Sequence, residues 1–365
     1  MDASVTSPLN KIAKPLLKWF RARARSLPWR DDPQPYYVWV SEIMLQQTRV
    51  TAVMPYFARF IEALPDVAAL AAADDDALMK LWEGLGYYSR ARNLKKAALL
   101  VTERHGGVLP RDFDALLALP GIGRYTAGAI ASIAYGEPRP AVDGNVLRVV
   151  MRLAAAREDI MRDATKRAVE NALADVMPKE PGLFNQALME LGALVCLPRA
   201  ARCGDCPLAG LCLAHARHVE NELPVKSPKK ARRIETRTVL LIERGGRFAI
   251  LKRPDRGLLA GLWELPNVAG ELTRRDAAAL LRDAGFTLRS LRRLPDTRHI
   301  FTHIEWALTG WHARLSEGDL LREERARYGP SPLPPLTWAE REELTTVYGI
   351  PTAFHRYLPN GRSGK

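Results

Sequence analysis

Cysteine is scarce in this chain: there are four in 365 residues, all between Cys196 and Cys212. None remains elsewhere to close a distant crosslink, so a disulfide framework is excluded, and the clustering points to a metal site in a reducing compartment. Apolar runs long enough to span a bilayer are also missing, and the N-terminal MDASVTSPLNKIAKPLL has no hydrophobic core of the signal-peptide kind. Both absences argue against a membrane or secreted protein and for a cytoplasmic, nucleoid-associated one. Negative charge is in deficit, with 41 Asp and Glu against 54 Lys and Arg and a formal net charge of +13. That balance favours a polyanionic partner, nucleic acid first, although a soluble protein with a merely basic surface has the same composition. No internal repeat or low-complexity tract interrupts the chain.

What is present is enough chain for two domains, each able to bury a core, with 47% hydrophobic residues. Residues 1–218 read as helical, with apolar residues at three-to-four spacing in Val38–Gln47, Asp75–Glu83 and Asp163–Val176. Breaks at Pro55, Pro65, Gly106-Gly107, Gly136–Pro140 and Pro178–Gly182 predict short helices on short loops. Residues 219–235 read as a linker, because NELPVKSPKKARR has two prolines, many charges and almost nothing to bury. The character changes at 236–359. Thr238–Ile242 and Phe248–Leu251 are β-favouring runs around Gly245-Gly246, a hairpin signal. Further strands are expected at Leu288–Leu294 and His299–Leu308, and one amphipathic helix at Arg275–Ala284. The expectation is an all-α domain followed by an α+β domain, with 360–365 as a disordered tail.

The cysteines are spaced Cys196-x6-Cys203-x2-Cys206-x5-Cys212. A short C-x-x-C loop places two thiolates on one ion, and the flanking pair closes a four-thiolate cage suited to zinc or an iron–sulfur cluster. His215 in place of Cys196 gives a rival zinc set of Cys203, Cys206, Cys212 and His215. Either site is closed, so its role is structural: it holds a loop that presents Arg199 and Arg202, to phosphate or simply to solvent.

Leu119-Pro120-Gly121-Ile122-Gly123 lies between two helical stretches. Its glycines allow a tight turn whose backbone N–H groups, at the start of the next helix, grip a phosphate without a side chain. A dinucleotide-binding fingerprint is excluded by the preceding helix and the missing third glycine. Twenty residues on stands Ala141-Val142-Asp143-Gly144-Asn145, before an apolar helix start. An isolated Asp there is ordinarily an N-cap. A third segment, Trp39-Val40-Ser41-Glu42-Ile43-Met44-Leu45-Gln46-Gln47-Thr48, sets one carboxylate on an otherwise apolar helix.

Together these segments resemble a known family. The cysteine spacing matches the 4Fe-4S loop of the endonuclease III and MutY-like glycosylases; LPGIG followed by VDGNV resembles the helix-hairpin-helix and aspartate signature of base-excision glycosylases; and WVSEIMLQQT, Pro28-Trp29-Arg30 and Gly84–Asn93 (GLGYYSRARN) resemble the MutY-like adenine DNA glycosylases. The resemblance covers most of the first two hundred residues and implies an iron–sulfur cluster on Cys196, Cys203, Cys206 and Cys212. It also implies an enzyme that hydrolyses the N-glycosidic bond of adenine mispaired with 8-oxoguanine or guanine in double-stranded DNA and leaves an abasic site.

Chemical need fits the two carboxyls. Adenine leaves only when protonated, and the sugar left behind develops oxocarbenium character, so a neutral acid and an anion are both required. Glu42 in an apolar pocket is expected to have a raised pKa and to act as general acid, with Asp143 ionised beside the sugar. By resemblance, Tyr125 and Asn145 orient Asp143. Relatives that also cut the strand carry a lysine where this chain has Tyr125, which implies a monofunctional enzyme. Trp29, Arg30, Leu45, Gln186 and Met189 are expected to line the base pocket. Gln47, Thr48, Leu85, Tyr87, Gly121 and Gly123 are expected to meet DNA, Tyr87 as the wedge. The C-terminal part resembles the MutT-like, Nudix-type domain of the same family, most clearly in Gly257–Pro266 (GLLAGLWELP). The acidic magnesium-binding helix of such hydrolases is missing, which predicts no nucleotide hydrolysis. Phe301-Thr302-His303 matches the family's 8-oxoguanine-reading loop, with Thr302 where Ser is commonest. The alternatives are an endonuclease III-like or thymine-mismatch glycosylase, or a non-catalytic DNA-binding module; Glu42, Tyr125 and the extra domain weigh against them. A monomer is expected.

Overall fold

The computed structural model describes residues 8–228, 231–316 and 333–359; the tail expected at 360–365 lies outside them. Two compact units emerge, residues 1–73 with 92–229 and residues 74–91 with 230–365. The first is helical and the second is built on a sheet, as expected, but the second recruits residues 74–91 from the helical half. Among the described residues, no helix is long and apolar enough to cross a membrane.

In the first unit, Ala13–Arg23, Gly144–Leu153, Asp163–Ala174 and Pro181–Leu194 share a core that excludes Leu16, Val150, Met151, Phe184 and Leu188 from water. Helix Pro35–Leu45 begins on a proline, whose fixed φ suits a first turn, and buries eight of its side chains, Glu42 among them. Pro55 does not break the chain as the sequence suggests; it lies inside helix Val50–Ala63. The missing N–H is tolerated because the carbonyl it would have served belongs to exposed Thr51, while Val53, Phe57 and Phe60 anchor the helix in the core.

The linker is also more structured than its composition suggests. Leu223 is buried and its carbonyl accepts from Arg152 Nε at 3.0 Å, and strand β1 already starts at Arg233. In the second unit the strands are β1 (Arg233–Arg244), β2 (Arg247–Lys252), β3 (Trp263–Glu264), β4 (Asn267–Ala269), β5 (Leu288–Ile300), β6 (Ile304–Leu315) and β7 (Thr337–Ala339). They form one sheet ordered β3-β2-β1-β6-β5, with β4 on β1 and β7 on β2; β1 and β6 run parallel. The β1–β2 hairpin turns on Gly245 and Gly246, both at positive φ. Successive residues of β1 point to opposite faces, so Val239 and Leu241 enter one core while Leu240 and Ile242 enter the other. The expected strand at His299–Leu308 is split: His299 and Ile300 end β5, and Phe301–His303 form the turn into β6.

One glycine sets the spacing of the helical elements. A Cβ on Gly128, in helix Arg124–Ala129, would lie 2.1 Å from the Pro140 carbonyl oxygen. The helix therefore crosses directly on the segment that leads to Asp143. Gly128→Ala gains helix propensity but must push two backbones apart, and a net loss of about 1–3 kcal/mol is expected in chemical denaturation. A variant as stable as the parent would show that this close approach is not needed.

Candidate active site

Glu42, Tyr125 and Asp143 line one cavity of about 1040 Å³ in the first unit. Glu42 is 5% exposed on a helix whose neighbours are almost all apolar. Loss of water around its carboxyl, reinforced by the nearby Asp143 charge, raises its pKa to about 7 against the opposing pull of a Tyr125 hydrogen bond and of Arg30. Tyr125 reaches the cavity from the helix after the hairpin, which Gly123 caps. Its hydroxyl donates to Glu42 Oε2 and lies 3.3 Å from Met189 Sδ. The expected pairing of Tyr125 with Asp143 is thus corrected: the tyrosine holds the glutamate, because the packing of helices Arg124–Ala129 and Pro35–Leu45 turns its hydroxyl that way. Burial raises the Tyr125 pKa well above its ordinary value.

Asp143 caps helix Gly144–Leu153. Its Oδ1 accepts from Val146 N and its Oδ2 from Asn145 Nδ2, both at 2.7 Å. Asn145 is itself held by Arg148 Nη2, 2.8 Å from its Oδ1. Burial pushes the Asp143 pKa up, against these donors, so the shift runs opposite to the one hydrogen bonding alone would give. Both oxygens are nevertheless acceptors, the arrangement that an ionised carboxylate satisfies.

Trp29, Arg30, Leu45, Gln186 and Met189 all line the cavity, as do Gln47, Thr48 and Gly123. Gly121 adopts φ +80 in the hairpin, where a Cβ would meet Asn93 at 2.7 Å. Gln47 also has positive φ, +61, a strained setting for a residue with a side chain. Sequence reasoning missed Arg25 and Glu190. Glu190 is 1% exposed; burial would raise its pKa, but Arg25 Nη2 at 2.6 Å and Arg30 Nη2 at 2.9 Å hold it down to about 2. It carries the same signature that singled out Glu42, a lone carboxylate on an apolar helix.

The four cysteines are free and partly buried. Burial raises the thiol of Cys206 to about 11 and pushes those of Cys203 and Cys212 up, and the neighbouring cysteines add to the shift at all three. Arg152 Nη1 donates to Cys196 Sγ at 3.3 Å. Four partly buried cysteines on one short loop are a donor set that fits a four-thiolate metal or iron–sulfur centre. The ligand atoms of Cys203, His215 and Glu220 lie within 4.8 Å of one another, which brings together two members of the rival zinc set.

In the second unit Leu85 is buried, and Tyr87 is 42% exposed at φ +47. Its hydroxyl lies 2.8 Å from Thr302 Oγ1. Phe301 stacks edge-on to His299 and Trp306, while His303 is exposed and accepts from Arg233 N through its carbonyl.

Comparison with known proteins agrees with this geometry. Residues 40–179 match the HhH-GPD superfamily of base excision DNA repair proteins and residues 238–360 match the NUDIX domain. The adenine DNA glycosylase of Rattus norvegicus is 37% identical over 80% of this chain and 68% of its own length, and that of Mus musculus 35% over 94% and 77%. Among solved structures, a thermostable thymine-DNA glycosylase is 26% identical with a TM-score of 0.53, covering 59% of this chain and 100% of its own. A trapped endonuclease III–DNA covalent intermediate is 27% identical with a TM-score of 0.51, covering 60% and 99%. With two carboxyls, one buried and one half-buried, in one cavity and relatives of this similarity along most of its length, the chain belongs to the adenine DNA glycosylases, N-glycosylases of the HhH-GPD base excision repair superfamily.

Proposed function

We propose that this enzyme removes adenine paired with 8-oxoguanine or guanine in duplex DNA and leaves an abasic site without cutting the strand. The observation that carries the reading is the Glu42 carboxyl, buried and raised to about 7, in the same cavity as Asp143. Adenine in a duplex is out of reach of any cavity, so it is first extruded into the space lined by Trp29, Arg30, Leu45, Gln186 and Met189. Gln47, Thr48 and Gly123 meet the DNA there, and Gly121 lets the hairpin turn toward the backbone. Tyr87 fills the gap, with Leu85 beside it on the same segment of the second unit.

Glu42 then donates its proton to the ring, at N7, and the bond from N9 to the sugar breaks with its electron pair leaving on adenine. Asp143 faces the positive charge that develops on the sugar. Glu42, now a carboxylate, takes a proton from the water that adds to the sugar carbon. Tyr125 positions Glu42 through its hydrogen bond and Asn145 positions Asp143. A tyrosine offers no amine for a Schiff base, so the strand is left intact. Cys196, Cys203, Cys206 and Cys212 would hold a 4Fe-4S cluster, which would supply a fixed crosslink for the loop carrying Arg199 and Arg202. Thr302 and His303 read the oxidised guanine, and Phe301, wedged between His299 and Trp306, fixes their turn.

Four outcomes test this reading. Glu42→Gln keeps the shape but not the proton, and single-turnover excision from an 8-oxoguanine:adenine duplex is expected to fall roughly 10²–10⁴-fold with binding largely spared. In the parent, the protonated Glu42 is the active form, so the rate should decline as pH rises through about 7, and it should fall again at acid pH once Asp143, whose pKa burial raises, takes up a proton; a rate that keeps rising into alkaline pH would remove Glu42 from this role. Tyr125→Lys should yield a borohydride-trapped protein–DNA adduct, and its complete absence would displace residue 125 from the reacting sugar. Thr302→Ala combined with His303→Ala should lower the excision preference for 8-oxoguanine over guanine opposite adenine; an unaltered ratio would refute the turn as the reader.

A further inference from the structure

We infer that Lys226, in the segment between the helical and sheet-forming parts of the chain, binds a backbone phosphate of the strand whose nucleotide enters the cavity. The inference rests on the reading of that cavity as the seat of the extruded adenine.

Composition makes residues 219–235 a solvated linker, but their first half is fastened to the first unit. Glu222 pairs with Arg157 Nη2 at 2.6 Å, Val225 O accepts from Ile160 N at 3.2 Å, and Ser227 donates through its N–H, at 3.2 Å, and its hydroxyl to the two oxygens of Asp159. Lys226 lies between two of these fastenings, is exposed, and lines the cavity together with Ile160 and Met161. The backbone that carries it is therefore ordered before DNA arrives, and contact costs only side-chain freedom.

The other cations of the cavity wall are mostly committed. Arg25 and Arg30 are bound to Glu190, Arg124 to Glu170 at 2.7 Å, and Lys166 to Asp163 at 2.9 Å. Among the described residues, Lys226 and Arg49 are the lining cations for which no acidic partner stands opposite. Position decides what an exposed ammonium there meets. The two carboxyls line the inside of the cavity, Glu42 buried and Asp143 half-buried, where the base and its sugar must sit. The phosphates on either side of that sugar stay outside, in water and at the mouth, because burying an unpaired phosphate anion is prohibitive. A cation fixed at the mouth is thus placed for phosphate and not for the reacting atoms.

The test is the salt dependence of binding by the full chain to an 8-oxoguanine:adenine duplex whose target adenosine carries a 2′-fluorine that blocks cleavage. One phosphate contact contributes about 0.9 to the slope of log K against log salt. Lys226→Ala is expected to lower the slope by about that amount, so that between 50 and 200 mM salt the parent loses about 3.5-fold more affinity than the variant. Lys226→Arg should restore the slope. Lys18→Ala, which deletes the same charge from an exposed helical position outside the cavity wall, should leave it unchanged. An unchanged slope in Lys226→Ala, or an equal drop in Lys18→Ala, overturns the inference. Failure of the underlying cavity reading has another signature: the parent would bind the target duplex no more tightly than a fully paired one.

Discussion

The helical unit is organised by one buried rod. Helix Gly144–Leu153 excludes water from every side chain between Val146 and Leu153, and two of those side chains are arginines. Among the described residues, neither forms an ion pair with a carboxylate. Arg148 donates to Asn145 Oδ1, Gly192 O and Cys196 O; Arg152 donates to Leu197 O, Leu223 O and Cys196 Sγ. A buried guanidinium is tolerable only when its donors are met, so these carbonyls are not free to move away. The N-terminus of the same rod holds Asp143. The position of the Asp143 carboxylate, the start of the cysteine loop and the entry to the 219–235 segment are therefore referred to a single rigid element. Gly192 tightens the arrangement, since a Cβ there would stand 2.6 Å from Asn145 Cβ.

Two glutamates of this unit show how environment, not residue type, sets the chemistry. Glu42 and Glu190 are both buried on apolar helices, yet one titrates near 7 and the other near 2. Desolvation pushes both upward. The difference lies in the donors, a neutral tyrosine hydroxyl for Glu42 against two guanidiniums for Glu190. Arg30 already pulls the Glu42 pKa down, and its pairing with Glu190 keeps it from donating to Glu42, which would lower that pKa further. The Arg25–Arg30–Glu190 cluster protects the acid by occupying the nearest strong cation.

That contrast marks what a sequence makes legible. Contacts between near neighbours are readable: Asp143 caps its own helix and meets Asn145 two residues on, as a capping aspartate in DGNV suggests. The hairpin, the helix at Arg274–Asp283 and the Gly245-Gly246 turn follow equally from local rules. Contacts between distant residues are not. The bond from Tyr125 to Glu42 spans 83 positions, and nothing local in the sequence announces it. Pro55 failed as a helix breaker because three core side chains outweigh one lost hydrogen bond. The 219–235 segment failed as a free linker because its polar side chains, which composition counts as solvated, find fixed partners on residues 157–160.

On the function proposed here, recognition divides along the same boundary as the fold. All the residues lining the adenine cavity belong to the first unit, while Tyr87 and Thr302 belong to the second and share a hydrogen bond there. Tyr87 comes from the helical half of the sequence and is held at φ +47, a backbone state that persists only where its surroundings enforce it. The wedge and the opposite-base reader are thus one body, joined before any DNA is bound. Excising adenine wherever it occurs would destroy normal A:T pairs, so the acid in the first unit must act only when the second unit has found the damaged partner. Placing the two recognitions in separate units makes the duplex itself the link between them. Neither the cavity nor the turn then needs to discriminate strongly alone, because modest preferences at the two sites multiply when both must be satisfied on one base pair.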